Sequence, residues 1–309
     1  MGVLKVVVAD LQPLGLSAPV APRLPTLEKL LAQADVMAIE PNWRAFAAPS
    51  WAVNVVAPLP LAATLAAAAG LEAPGTWYLA SALHLVAGLN HVRVHPAGPL
   101  TLSLAQQTAL VESFERDWGE ADMTLLPTPS GLLCKMAVGP VPETFDPDPF
   151  TGQDIAGALP RGEGALALQR VMTELQMWLY QAPLTGTDDV AVNALWLWGG
   201  SHHPVTRPNA LPACESDDAY LNALSTLATN QARVSGDEVI TVRVSALGRE
   251  GNAFELAEER YFQPLQRRIL SGRFSQVQLW FGGRVYRLQA WQRLRYWRRP
   301  QPWWQGEAL

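Results

Sequence analysis

The sequence has few cysteines, which cross-link small secreted domains, and it lacks an apolar run long enough to cross a membrane. Only two of its 309 residues are cysteines, Cys134 and Cys214, and their 80-residue separation matches no zinc or redox pattern. Two free thiols in a reducing cytoplasm are the expected state, with a disulfide left as an alternative. The longest apolar run, Leu59 to Leu71, is alanine-rich and contains Pro60, so it is too short to span a bilayer.

Charge is scarce and unevenly placed. The formal charge is −5, yet residues 1–260 hold 27 acidic and 14 basic side chains, and residues 261–309 hold nine arginines and one glutamate. An acidic body with a basic end indicates a charged partner or intramolecular docking. The acidic balance as a whole argues against general nucleic-acid binding.

The apolar content and the order of the periodic segments predict an α/β protein. The hydrophobic share of 49% is enough for a core, and strands alternate with helices along much of the chain. Short apolar or periodic segments predict the main elements. These are a first strand at Val3–Val8, helices at Pro25–Ala34, Ser103–Trp118, Leu166–Tyr180 and Asn252–Leu270, and hairpins at Trp77–Leu85 with His91–His95 and at Gln276–Phe281 with Arg284–Leu288.

The domain organisation follows from composition. We expect a core made of residues 1–74 and 139–309, a smaller α+β insertion at 75–138, and an arginine- and tryptophan-rich tail at 291–309. Residues 139–160 contain many prolines and acidic residues, which predicts a linker or a long connecting loop.

Several residues are candidates for binding or catalysis. Asp10 follows the first strand, where doubly wound folds place ligand-contacting residues, although a polar strand end is the plainer interpretation. Asn193, Trp196 and Trp198 belong to the segment 192–200, where the tryptophans share one strand face. They either line a pocket or belong to the core, and Gly199 and Gly200 would let backbone amides approach an anion.

The histidines and the tail offer two further hypotheses. His202 and His203 follow the glycine pair at a strand end, a position for metal ligands, although adjacent side chains diverge. The tail contains Trp291, Arg295, Trp297, Arg298 and Arg299. Such residues bind a protein partner, stack on nucleic-acid bases, dock on an acidic membrane, or pack back on the acidic body through cation–π contacts.

Three segments resemble cofactor-independent phosphoglycerate mutases of the archaeal type. The segment from Arg93 to Gln107 is similar to the part that leads into a capped helix. Residues 149–157, Pro-Phe-Thr-Gly-Gln-Asp-Ile-Ala-Gly, resemble the family's Pro-Pro-His-Asp loop, and residues 192–200, Val-Asn-Ala-Leu-Trp-Leu-Trp-Gly-Gly, resemble its most specific strand. A closer likeness, carried by Leu24–Ala32 and Trp297–Pro300, is to a short bacterial group of RpfE-type regulatory proteins.

This resemblance implies an alkaline-phosphatase-like α/β core sheet flanked by helices, and a two-metal site with a serine or threonine nucleophile. The chain departs from that pattern. Asp10 is followed by leucine where the family has glycine, Gly152-Gln153-Asp154 stands where it has histidine and aspartate, and no histidine follows residue 203. Asp10 and Asp154 remain as candidate catalytic acids.

We therefore expect a non-catalytic regulatory or interaction protein with no cofactor, which keeps a pocket for a small phosphorylated ligand near Asp10, Asn193 and Gly199-Gly200. One alternative is a phosphotransferase or phosphatase that uses Mn²⁺ or Zn²⁺ and a reduced site. Another is a protein-binding module that works through the tail.

Overall fold

The computed structural model describes residues 2–11, 22–55, 58–71, 73–119, 122–181, 184–185, 190–202, 205–229, 233–244 and 253–305. The chain forms two compact units. Unit 1 is discontinuous and consists of Met1–Val55 with Arg207–Leu309, and unit 2 is Val56–Thr206. No helix in these described ranges is long and apolar enough to cross a membrane.

Fourteen strands are described, and they alternate with eight α-helices. The strands are β1 (Val3–Val8), β2 (Asp35–Ile39), β3 (Thr76–Leu83), β4 (Leu85–Ala87), β5 (Val92–Val94), β6 (Met123–Thr128), β7 (Gly131–Met136), β8 (Leu184–Thr185), β9 (Ala191–Val192), β10 (Ala194–His202), β11 (Ala210–Glu215), β12 (Arg233–Val242), β13 (Gln276–Phe281) and β14 (Arg284–Leu288). The helices are α1 (Pro25–Gln33), α2 (Trp43–Ala47), α3 (Leu61–Ala68), α4 (Leu104–Trp118), α5 (Ala165–Gln181), α6 (Ala219–Ala228), α7 (Ala253–Ala257) and α8 (Gln263–Leu270).

Unit 1 is built on a six-stranded mixed sheet with the order β11-β12-β1-β13-β14-β2. Strands β11, β12, β1 and β13 pair in parallel, whereas β14 is antiparallel to both β13 and β2. The first strand therefore lies between two strands from the far end of the sequence. This placement explains why Val3–Val8 is apolar at every position except Lys5, since a central parallel strand is buried on both faces.

Helices cover both faces of this sheet. On one face Leu4, Val6 and Val8 of β1 join a core cluster with residues of α1, α7 and α8. On the other face α2 contacts β1, and α6 contacts β11. The structure is thus a mixed α/β arrangement with a central sheet flanked by helices, as the sequence predicts at this level.

The end of the described chain is anchored in this core. Trp303 is 2% exposed, and its ring stacks on Phe254 and meets Phe281 edge to face. Its indole Nε1 donates to the carbonyl oxygen of Pro22 at 2.9 Å, and its backbone N–H donates to Glu28 at 3.3 Å. Of the alternatives for the tail, packing back on the body describes this tryptophan.

Lys5 is the one charged residue of β1, and it is nearly buried at 9% exposure. Its Nζ donates to the carbonyl oxygen of Phe46 at 2.7 Å and lies 5.1 Å from the centroid of the Phe46 ring. Burial lowers the pKa of Lys5 to about 8, and the nearby Asp237 opposes this shift. A lysine removed from water favours its neutral form.

The helix predicted over Asn252–Leu270 is interrupted rather than simply bent at Pro264. A π-helical turn, Glu258–Phe262, separates α7 from α8, and Pro264 lies in the first turn of α8. Proline lacks an N–H and clashes with the carbonyl four residues earlier, so a wider turn before it relieves both problems. The start of the predicted helix, residue 252, lies outside the described residues.

Unit 2 contains a four-stranded antiparallel sheet with the order β10-β3-β7-β6 and two small hairpins, β4-β5 and β8-β9. Helices α3 and α5 pack on β10, and α4 packs on β6. Ser103 caps α4 as predicted, in a capping box with Gln106. The boundaries predicted at 74/75 and 138/139 both fall inside this unit, because β10 pairs with β3 and α5 packs on β10.

One predicted hairpin of unit 2 is wrong in its pairing. Trp77–Leu85 and His91–His95 do not form one hairpin, since β3 pairs with β10 and β7, and the separate strand β4 pairs with β5. Long-range pairing of β3 leaves only the residues after His84 for the local turn. The predicted linker at 139–160 is instead folded within unit 2 around two short 3₁₀ helices, Asp148–Phe150 and Ile155–Ala158.

Replacing Trp303 tests whether the tail belongs to the fold. Because the side chain is fully buried against aromatic neighbours, Trp303→Ala should lower the free energy of unfolding by about 3–5 kcal/mol. Trp297 lies in the same tail but is 65% exposed. Trp297→Ala is the matched control and should change stability by no more than about 0.5 kcal/mol in the same urea titration. Equal effects of the two substitutions would contradict the anchoring role.

Lys5 should make stability depend on pH in the alkaline range. Its folded pKa is about 8 and its ordinary value is 10.5, so between these values the unfolded chain binds a proton that the folded chain has released. Stability contributed by Lys5 therefore rises with pH in this window. Relative to Lys5→Met, the wild-type unfolding free energy should gain about 2 kcal/mol between pH 8 and pH 10. A difference that stays flat over this range would show that Lys5 keeps an ordinary pKa.

Candidate functional site

The two tryptophans of β10 are core residues. Trp196 and Trp198 are 3% and 8% exposed, and both indole N–H groups are used. Trp196 Nε1 donates to the carbonyl oxygen of Phe145 at 3.1 Å, and Trp198 Nε1 donates to Ser81 Oγ at 2.8 Å. Burial with a satisfied N–H is the usual state of a core tryptophan.

The other candidates on this segment have local structural roles. Asn193 uses both ends of its amide on Leu85, since Oδ1 accepts from the Leu85 N–H at 2.7 Å and Nδ2 donates to the Leu85 carbonyl at 2.9 Å. The N–H of Gly199 donates to Thr144 Oγ1 at 2.9 Å, so a side chain already occupies the amide predicted to face an anion.

The glycine pair is required by the backbone and by packing. Gly199 has a φ of +63°, a conformation that other residues rarely adopt, and it lies where the pairing of β10 with β3 shifts register. A Cβ at Gly200 would come within 2.5 Å of the Tyr78 ring. The close approach of a side chain, rather than of a ligand, therefore accounts for Gly200.

The two candidate acids lie in different units and are each hydrogen-bonded to backbone. Asp10, in unit 1, accepts from the N–H of Val244 at 2.9 Å and ties the end of β1 to the end of β12. Asp154, in unit 2, accepts from the N–H of Ala156 at 2.9 Å and caps the 3₁₀ helix Ile155–Ala158.

The histidine pair is described only in part. His202 is exposed at the end of β10, with Nδ1 at 3.4 Å from Thr76 Oγ1. His203 lies outside the described residues. Within the described ranges no group of three or more histidine, cysteine, aspartate or glutamate side chains is arranged to hold a metal ion.

The two cysteines do not have the character of nucleophiles. Burial raises the pKa of Cys134 to about 12, and burial together with the charge of Asp218 raises the pKa of Cys214 to about 11. Both thiols are free. Reactive cysteines have lowered pKa values, so these two are structural.

Unit 2 brings Asp154 and Trp196 to one cavity, which sequence analysis did not predict. It has a volume of about 570 Å³ and lies among α5, β10, the 3₁₀ helix Ile155–Ala158 and the β4–β5 hairpin. Its walls are mainly apolar, with a few polar groups. The residues that line it are Leu85, Gly88, Leu89, Asn90, His91, Val92, Asp154, Ile155, Ala156, Leu159, Gln169, Met172, Thr173, Gln176, Ala194, Leu195 and Trp196.

Unit 1 carries a different candidate, in which Asp35 holds the tail beside β2. Arg295 forms an ion pair with Asp35, and Gln292 Nε2 donates to Asp35 Oδ2 at 2.8 Å. Arg298 Nη1 lies 3.7 Å from Asp35 Oδ1 and donates to the carbonyl oxygen of Ala34 at 2.8 Å. The hydrogen bond from Arg295, with the charges of Arg298 and Arg287, holds the pKa of Asp35 below its ordinary value.

These contacts leave four apolar side chains of the tail exposed. Trp291, Tyr296 and Trp297 are 55, 86 and 65% exposed, and Leu294 is 61% exposed. Strand β2, at the edge of the sheet, adds three more exposed apolar side chains, those of Val36, Met37 and Ile39. We call these seven residues the β2–tail surface.

Sequence analysis missed β2 itself and a buried ion pair near it in the chain. Arg44 of α2 and Asp218 are 9% and 4% exposed, with Arg44 Nε at 2.9 Å from Asp218 Oδ2. The other carboxylate oxygen of Asp218 caps α6 through the N–H groups of Tyr220 and Leu221. Their separation of 174 residues gives no sequence signal, and their mutual satisfaction marks them as structural.

Comparison with solved structures finds a cofactor-independent phosphoglycerate mutase from Thermoplasma acidophilum, with a TM-score of 0.39 and 13% sequence identity over 93% of this chain and 89% of that chain. No protein-family model matches the chain, and no curated protein matches it. At this TM-score and identity the likeness carries no argument about activity, and the family resemblance stays a prediction.

Proposed function

We propose that this chain is a non-catalytic regulatory protein that binds an acidic, extended segment of another protein on the β2–tail surface. The observation that carries the proposal is the exposure of seven apolar side chains, three on the edge strand β2 and four, including three aromatics, in the tail that Asp35 of β2 binds through Arg295. Contiguous exposed apolar patches on folded proteins mark interaction sites. Tryptophan, tyrosine and arginine are the residues that dominate binding energy at protein interfaces.

The edge strand supplies main-chain hydrogen-bonding groups. Strand β2 pairs with β14 on one side, and among the described strands none pairs with its other side. An extended segment adds to such an edge through backbone hydrogen bonds, while alternate side chains enter neighbouring apolar contacts. The exposed side chains of Val36, Met37 and Ile39 are in place for those contacts.

Charge favours an acidic partner over a second copy of this chain. Arg298 and Arg299 are exposed in the tail, and residues 261–309 as a whole carry a formal charge of +8. Two copies that met through this surface in a twofold arrangement would place arginines opposite arginines, which opposes association. An acidic segment is instead attracted to the same arginines, because its charge is opposite to theirs.

The remaining candidates fit this proposal. Asp10 and Asp154 each serve the backbone within their own unit, and the glycine pair serves packing against Tyr78. None of these contacts favours phosphoryl transfer, so the metal-dependent alternative has no observation behind it in the described residues.

A random library of twelve-residue peptides displayed on phage tests the proposed partner chemistry. Selection on the whole protein should enrich sequences in which acidic residues accompany alternating β-branched or aromatic residues. A synthesised winner should bind Trp297→Ala or Ile39→Lys about 30-fold more weakly, because hot-spot residues contribute about 2 kcal/mol each. Binding should also weaken as salt is raised.

Tyr180→Ala is the matched control, since Tyr180 is an aromatic residue of unit 2 with 87% exposure. It should leave peptide affinity unchanged. The proposal fails if no acidic sequence is enriched or if the Trp297 and Ile39 variants bind the peptide normally. It also fails if sedimentation shows a dimer that Ile39→Lys dissociates, because that result would assign the surface to a second copy.

A further inference from the structure

The cavity of unit 2 has the size and lining of a small-molecule site. Its volume of about 570 Å³ lies within the usual range for ligand pockets, which is roughly 300–1,000 Å³. It is independent of the β2–tail surface, since all of its lining residues belong to unit 2.

Apolar side chains form most of the wall. Met172 of α5 and Leu195 and Trp196 of β10 are buried and line the cavity. The Trp196 N–H is already bonded to Phe145, so the indole offers carbon atoms rather than a donor to an occupant. Leu89, at the turn of the β4–β5 hairpin, is fully exposed at the cavity and extends its apolar rim.

Asp154 is the single acidic side chain in this lining. One of its carboxylate oxygens accepts from the N–H of Ala156, and the residue forms no ion pair within the described ranges. The backbones of Arg93 and Asp154 form an isolated antiparallel β-bridge, but no ion pair joins the two side chains. A carboxylate at the edge of an apolar cavity interacts most favourably with a cationic group.

The charge of the whole unit acts in the same direction. Residues 56–206 contain 14 acidic and five basic side chains, a formal charge of −9. Such a charge attracts cations and disfavours anions near the surface.

We propose that this cavity binds a cationic amphiphile. Its occupant has an aromatic or branched apolar body, which packs against Met172, Leu195 and Trp196, and one ammonium group, which pairs with Asp154. Asn90, Gln169 and Gln176 add hydrogen-bonding groups around the apolar wall.

Three probes with one apolar body and different charge test this proposal: phenylbutylamine, phenylbutanol and phenylbutyrate. Isothermal titration calorimetry on the full-length protein should give an affinity for the amine about fivefold above that for the alcohol. An exposed ion pair contributes up to about 1 kcal/mol, which corresponds to this ratio. The carboxylate should bind more weakly than the alcohol. Asp154→Asn keeps the helix cap, because asparagine caps equally well, and it should abolish the preference for the amine.

Two further variants separate charge from shape. Ala156→Trp places a large side chain in the cavity from an exposed position and should eliminate binding of all three probes. Glu163→Gln removes an exposed carboxylate that does not line the cavity, and it should leave the affinities unchanged. The proposal is overturned if no probe binds, if the amine and the carboxylate bind equally, or if Ala156→Trp binds the probes as well as the wild type.

Discussion

The position of β1 between β12 and β13 is the constraint on which the rest of the structure depends. Its backbone pairs on both sides with strands more than 200 residues later, and the Val3 N–H is bonded to Asp237 at a separation of 234 residues. The two ends of the chain must therefore meet in one sheet. Everything from Val56 to Thr206 is consequently free to form a unit of its own, with its own sheet and its own cavity.

Local chemistry in the sequence predicted much of the fold. Ser103 predicts the start of α4, where it forms a capping box with Gln106. Gly282-Gly283 predicts the turn between the two segments that pair as β13 and β14. Strand β2 was missed because four of its five residues are exposed, which leaves no alternation to detect. Strand β11 was missed because Pro212 lies inside it, and proline usually argues against a strand.

For the candidate sites, the sequence predicted some of the residues but not the contacts that they make. Residue types and the family resemblance singled out Trp196, Asp154 and the arginines of the tail, but not their surroundings. Whether a tryptophan lines a cavity, or an arginine is neutralised by Asp35, depends on partners that are remote in sequence. The two binding proposals accordingly rest on exposure and lining, and they assign opposite charges to the two occupants: an acidic segment for unit 1 and a cation for unit 2.

The burial of Trp303 has a consequence for synthesis on the ribosome. Unit 2 is complete in sequence once Thr206 has emerged, and it needs no later residue for its own sheet. Strand β1 precedes both of its partners, β12 and β13, by more than 200 residues, and Trp303 joins the aromatic side chains of its core later still. An apolar strand that waits this long exposes backbone and side chains to wrong pairing. Strand β1 is thus the part of the central sheet that must wait longest for its partners during synthesis.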